Sequence, residues 1–173
     1  LNSQIPLKIS KWVTPKWDDT EFDYEHHIYL RFKNVFIQDK KYTLTTPHGV
    51  AKFVFDETQV YCESIKTNQS AYSSLSKKRF ANFSIWTANE LVEKLEGKLP
   101  DYYVVEIHSG EIITTGSLKE IGPCTNAGDF VYQIDLSNVP AGGPYKLVVQ
   151  GYGCSFPFGV GGVFSDRLAY ISF

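Results

Sequence analysis

From His26 onward the chain is a succession of short β-rich runs broken by turn residues, and this punctuation admits few folds. "HHIYLRF", "NVFIQ", "KYTLTT" and "AKFVFD" come first, spaced by Gln38-Asp39-Lys40-Lys41 and Pro47-His48-Gly49. "VYCESIKT" and "KKRFANFSIW" follow, then "YYVVEIHS", "EIITTGSLKEI", "DFVYQIDLS", "YKLVVQ" and "CSFPFGV". Strands this short, turning roughly every 8–12 residues, read as a sandwich. A βαβ fold would need helical stretches between them. The aromatic content, Tyr 11 and Phe 12, suits strands, where flat rings pack on a pleated face. One helix is predicted. Thr87-Ala88-Asn89-Glu90 has capping-box spacing, Leu91, Leu95 and Leu99 recur on one side, and Gly97 and Pro100 end it. The expected fold is all-β, an antiparallel sandwich with extra N-terminal strands and one short helix.

Residues 1–25 contain Pro6 and Pro15 and lack a sustained period. They read as an arm lying across the rest, with room for one short strand. Lys+Arg 17 against Asp+Glu 19 leaves a net charge of -2. No basic field exists to hold a phosphate backbone, which argues against a nucleic-acid partner. No apolar run approaches the roughly 20 residues that cross a bilayer, so no membrane span is expected. The chain starts at Leu1 and has Met 0, as a processed chain or an excised piece would, so the lack of a leader says nothing.

Residues able to do chemistry have simpler explanations. Cys62, Cys124 and Cys154 fit no zinc spacing and form no CxxC pair. Cys124 and Cys154 flank turns and can bond only if their strands meet. Asp18, Asp19, Glu21 and Asp23 suit a solvated acidic face better than a calcium site. Glu90, Glu93 and Glu96 belong to the predicted helix, and Asp135 to a turn cap at a strand end. Adjacent His26 and His27 point to opposite faces of a strand and cannot chelate together. No metal and no cofactor are assigned. The serine of "GCSFPFG" lacks the helix that a nucleophile elbow requires. Trp12, Trp17 and Tyr24 lie in the polar arm, where they either staple it to the sandwich or offer flat platforms to a sugar.

Two segments resemble a known family. "SIKTNQSAYSSLSKKRFA" resembles the opening of the N-terminal immunoglobulin-like domain of family 9 glycoside hydrolases, which runs Ile-x-Val-Asn-Gln-x-Gly-Tyr-x-Pro before a later lysine. Ile65, Asn68, Gln69, Tyr72 and Lys78 match, while Thr67, Ala71 and Ser74 depart from it. "DLSNVPAGGPYKLVVQGYGCSFPFGV" is similar to the end of that domain, through Asp135, Ser137, Gly143, Tyr145, Gly153, Ser155, Pro157 and Phe158. "YYVVEIHSGEIITTGSLKE" fits its central hairpin. The resemblance covers about residues 61–173.

The resemblance implies three regions: an arm with added strands over 1–60, an immunoglobulin-like sandwich over 61–163, and over 164–173 a linker or the start of a missing catalytic module. The family's catalytic carboxylates lie in that module, so no catalytic residue carries over. Asn68, Gln69, Tyr72, Asp135, Tyr145 and Pro157 are implied to be architectural. Phe158, Phe164, Leu168, Tyr170 and Phe173 are implied to meet the module. The leading expectation is a non-catalytic accessory domain of a polysaccharide-degrading enzyme, secreted or periplasmic, with that module as partner and polysaccharide as a second candidate. A carbohydrate-binding module and a stand-alone interaction domain are the alternatives.

Overall fold

A computed structural model describes residues 4–17, 22–85, 94–126 and 128–162. Its strands, in chain order, are β1 (Lys8–Trp17), β2 (Phe22–Arg31), β3 (Lys41–Thr46), β4 (Gly49–Val54), β5 (Ile65–Lys66), β6 (Phe80–Phe83), β7 (Asp101–Glu106), β8 (Ile112–Ser117), β9 (Lys119–Cys124), β10 (Asp129–Asp135), β11 (Gly142–Val149), β12 (Gly153–Cys154) and β13 (Phe158–Val160). One sheet has the order β5-β6-β10-β9, and the other β12-β11-β7-β8 with β13 also on β11. Every ladder between these strands is antiparallel. β1–β2 and β3–β4 form separate two-stranded hairpins. The fold is the antiparallel immunoglobulin-like sandwich with added N-terminal strands.

The core follows from period-two alternation. Tyr132 and Ile134 on β10, Tyr102 and Val104 on β7, and Leu147 and Val149 on β11 are buried, and they meet Phe83 of β6 between the sheets. Each such aliphatic side chain contributes about 2 kcal/mol by leaving water. "EIITTGSLKEI" is one run in pattern but two strands in space: β8 and β9 belong to opposite sheets, with buried Leu118 as the pivot. Gly116, near that pivot, lies under the Tyr102 ring, where a Cβ would come within 2.6 Å of the hydroxyl.

Three expectations change. The arm is no loose strap: β1 runs ten residues through Pro15 and pairs fully with β2. Proline is tolerated because both strands of a two-stranded ladder are edges. "NVFIQ" is not a strand. Phe36 instead joins a ring cluster with Phe32, Tyr42, Phe53 and Phe55, and Val35 fills the space over Gly151. The predicted helix start, Thr87 to Glu90, and Trp86 lie outside the described residues. Lys94 to Pro100 is described and is not helical. Cys62, Cys124 and Cys154 are free thiols, and Cys124 and Cys154 sit on different sheets.

Arg79 is the buried cation of the sandwich. Its guanidinium donates to Ser137 O at 2.6 Å, Val139 O at 2.8 Å, Ser76 O at 2.9 Å, and Ser73 O and Leu136 O at 3.4 Å. A planar fork of five donors is the side chain suited to gather so many carbonyls. Replacing it leaves buried acceptors unpaired. Arg79→Ala is expected to lower unfolding free energy by about 3 kcal/mol in urea denaturation. Arg79→Lys, with charge but no fork, should recover only part. A loss for Arg79→Ala below about 0.5 kcal/mol, the ordinary surface range, would contradict this role.

Candidate functional site

The pentapeptide Asn68 to Tyr72 interrupts the sheet to make a clamp. Asn68 folds it locally: its Oδ1 accepts the Ser70 N–H at 3.0 Å, and its Nδ2 donates to Ala71 O at 2.7 Å. Asparagine does this wherever its short amide can mimic a backbone turn. Ala71 needs no glycine, since Asp39 is the only non-glycine residue with positive φ among the described residues. Gln69 is exposed at the tip.

Tyr72 joins the turn to the last described strand. Its hydroxyl accepts the Asn68 N–H at 3.0 Å and donates to Phe80 O at 2.9 Å. Burial pushes the phenol's pKa up, with the Asn68 N–H opposing, so it remains a donor at neutral pH. The Tyr72 N–H donates to Gly159 O at 2.9 Å, and Gly161 N–H donates to Tyr72 O at 2.8 Å. This parallel bridge to Val160 covers one edge of β13. The other edge pairs with β11, Tyr145 opposite Phe158 and Gly142 opposite Val160. Phe158 lies between the rings of Tyr72 at 5.6 Å and Tyr145 at 5.9 Å, and is only 2% exposed. It is turned into the sandwich core and offers no surface to a module. Pro157, just before it, is exposed. Phe164, Leu168, Tyr170 and Phe173 lie outside the described residues.

Asp135 caps the turn that Arg79 grips. Its carboxylate accepts the Ser137 N–H at 2.8 Å, and its carbonyl accepts the Tyr102 hydroxyl at 2.8 Å. Hydrogen bonds from the Ser137 side chain and backbone hold the carboxyl below its usual range. A depressed folded pKa adds stability above the unfolded value, and that gain is lost as pH falls through the folded pKa. Asp135→Asn keeps a turn oxygen without the charge. Its urea midpoint is expected to lie below that of the native chain at pH 7, with the gap closing below about pH 4. A gap independent of pH would contradict this.

The ladder separates the arm's aromatics. Trp17 pairs with Phe22 and Pro15 with Tyr24, whereas Trp12 pairs with His27 on the opposite face. His26 and His27 likewise face apart. Trp17 is 73% exposed and Tyr24 54% exposed, so neither staples the arm to the sandwich. Asp18, Asp19 and Glu21 lie outside the described residues. Among the described residues no three His, Cys, Asp or Glu converge on a metal position.

Sequence reasoning missed three residues. Arg79 was hidden behind Lys78 in a basic triplet. Phe22 completes the arm's ring cluster and is legible only once the turn's register is known. Buried Glu57 accepts the Tyr103 hydroxyl at 3.0 Å and the Gly151 N–H at 2.9 Å, docking the segment before β5 onto β7 and the turn after β11. Burial and this carboxylate together push the Tyr103 phenol strongly up. Next to it, Gly153 lets Val60 approach, since a Cβ there would lie 2.4 Å from Val60 O.

A sequence model described as the cellulase N-terminal Ig-like domain matches residues 60–153. Among solved structures, a metagenome-derived glycoside hydrolase family 9 endoglucanase is similar at 24% identity and a TM-score of 0.46, covering 56% of this chain. A family 9 glycoside hydrolase of Bacteroides ovatus is similar at 21% identity and a TM-score of 0.45, covering 61%. The chain spans only 18% and 17% of those two chains. No curated protein matches. The matched segment takes in the clamp turn, the Arg79 cradle and the strands from β5 to β11, and on it the chain belongs to the family of cellulase N-terminal Ig-like domains.

Proposed function

We propose that this domain is a non-catalytic brace for a family 9 glycoside hydrolase module carried on the same polypeptide, in an enzyme that degrades polysaccharide outside the cytoplasm. The observation that carries this reading is the double hold on β13. With β11 on one edge and Tyr72 on the other, the last described strand reaches Gly161 held on both sides. A module placed beyond Gly161 inherits a defined start and direction. Family membership supports the nature of that module. A polymeric substrate that cannot enter cells supports a secreted or periplasmic setting.

Within the domain, three buried or half-buried groups are engaged structurally: Glu57 holds Tyr103 and Gly151, Arg79 holds five carbonyls, and Tyr72 holds β13. Catalysis is assigned to the other module. The domain expressed alone should release no reducing sugar from carboxymethylcellulose, and measurable turnover would overturn the non-catalytic assignment. In the whole enzyme, Tyr72→Phe keeps the ring and backbone bridge but removes two hydroxyl hydrogen bonds worth about 1 kcal/mol each. It is expected to shorten the half-life of glucanase activity on heating while leaving the initial rate unchanged. An unchanged half-life would overturn the bracing role.

A further inference from the structure

We propose that the β1–β2 hairpin carries a stacking platform, made by Pro15, Trp17, Phe22 and Tyr24, for an extended chain of β-linked pyranose sugars. This adds a binding site to the function proposed above and rests on that reading only for the choice of polymer. Directly opposed residues of an antiparallel ladder share a face. The pairs Trp17–Phe22, Pro15–Tyr24, Val13–His26, Lys11–Ile28 and Ile9–Leu30 therefore line one side of the hairpin. The other side carries polar pairs such as Thr14–Glu25 and Lys16–Asp23. On the first side Trp17 is 73%, Phe22 55% and Tyr24 54% exposed. The rings are contiguous, with centroids 6.2 Å apart for Trp17 and Phe22 and 5.1 Å for Phe22 and Tyr24.

The shape of the strip selects its occupant. Taking about 200 Å² for a whole aromatic side chain, the exposures of Trp17, Phe22 and Tyr24 leave roughly 360 Å² of ring surface. That is under half of the roughly 800 Å² per partner in a stable protein complex, so two copies stacked through these rings do not reach the area a lasting dimer needs. A row of three rings, continued along the ladder by Val13, His26, Lys11 and Ile28, suits an extended ligand instead. An extended peptide would add as a strand along an edge, and Pro15 deprives the β1 edge of a donor. Equatorially substituted pyranose rings have flat C–H faces that lie on aromatic rings, and their rim hydroxyls need polar neighbours. The Tyr24 hydroxyl, His26 and Lys11 supply those on the same face.

The test is affinity electrophoresis of the whole chain through gels holding hydroxyethylcellulose or xylan, with sedimentation equilibrium beside it. The native chain should be retarded by at least one polymer and sediment as a monomer. Trp17→Ala and Tyr24→Ala should each weaken retardation about tenfold, whereas Trp17→Phe, which restores a ring, should stay within about threefold. Glu25→Gln on the opposite face should leave it unchanged. No retardation of the native chain, equal retardation of Trp17→Ala, or a dimer dispersed by Trp17→Ala would each overturn the platform. The heat-inactivation test of Tyr72 reads a different part of the molecule, so the platform can fail while the brace stands, and the reverse.

Discussion

The Arg79 guanidinium joins two segments far apart in sequence. Its fork closes on Ser73 and Ser76 from the loop after the clamp turn, and on Leu136, Ser137 and Val139 from the turn after β10. Its backbone takes part as well: the Arg79 N–H donates to the Ser137 hydroxyl, and Arg79 O accepts from Leu136 N–H. Asp135 shapes the second turn from within by capping Ser137. The segments that carry the family's opening and closing motifs thus meet at one buried cation. A buried charge stays favourable only when its donors are met, and here backbone carbonyls take all five.

From that junction the hold passes to the exit strand. Phe80, the residue after Arg79, offers the carbonyl that takes the Tyr72 hydroxyl, and Tyr72 bridges to β13. Phe158 closes the path by packing between Tyr72 and Tyr145. Asn68 and Tyr72, two of the signature residues, are thus links in a mechanical chain from the β10 turn to Gly161. The bracing role proposed for the domain needs such a chain more than it needs an open cleft.

Much of this was legible in the residues. The antiparallel sandwich follows from the short runs and their turns, and the alternation of Tyr132 and Ile134 along β10 and of Leu147 and Val149 along β11 agrees with their burial. The failures have physical causes. Pro6 and Pro15 masked the period of β1, although Ile9, Val13 and Trp17 keep even spacing along it. Trp12 and Trp17 are an odd number apart, which already puts them on opposite faces of a strand. "EIITTGSLKEI" carries no mark of its sheet change except Gly116, whose reason lies in the distant Tyr102 ring. In Lys77-Lys78-Arg79 nothing local says which cation is buried, because the five carbonyls that decide it come from two separate loops.

A brace of the proposed kind requires β13 to be held as firmly as the core. Native-state hydrogen exchange read residue by residue addresses it through two amides, Tyr72 N–H bonded to Gly159 O and Gly161 N–H bonded to Tyr72 O. Held as described, both should exchange only with global unfolding, at the free energy measured for Leu147 and Val148 in β11. Exchange of either amide at the rate of an exposed loop would contradict it.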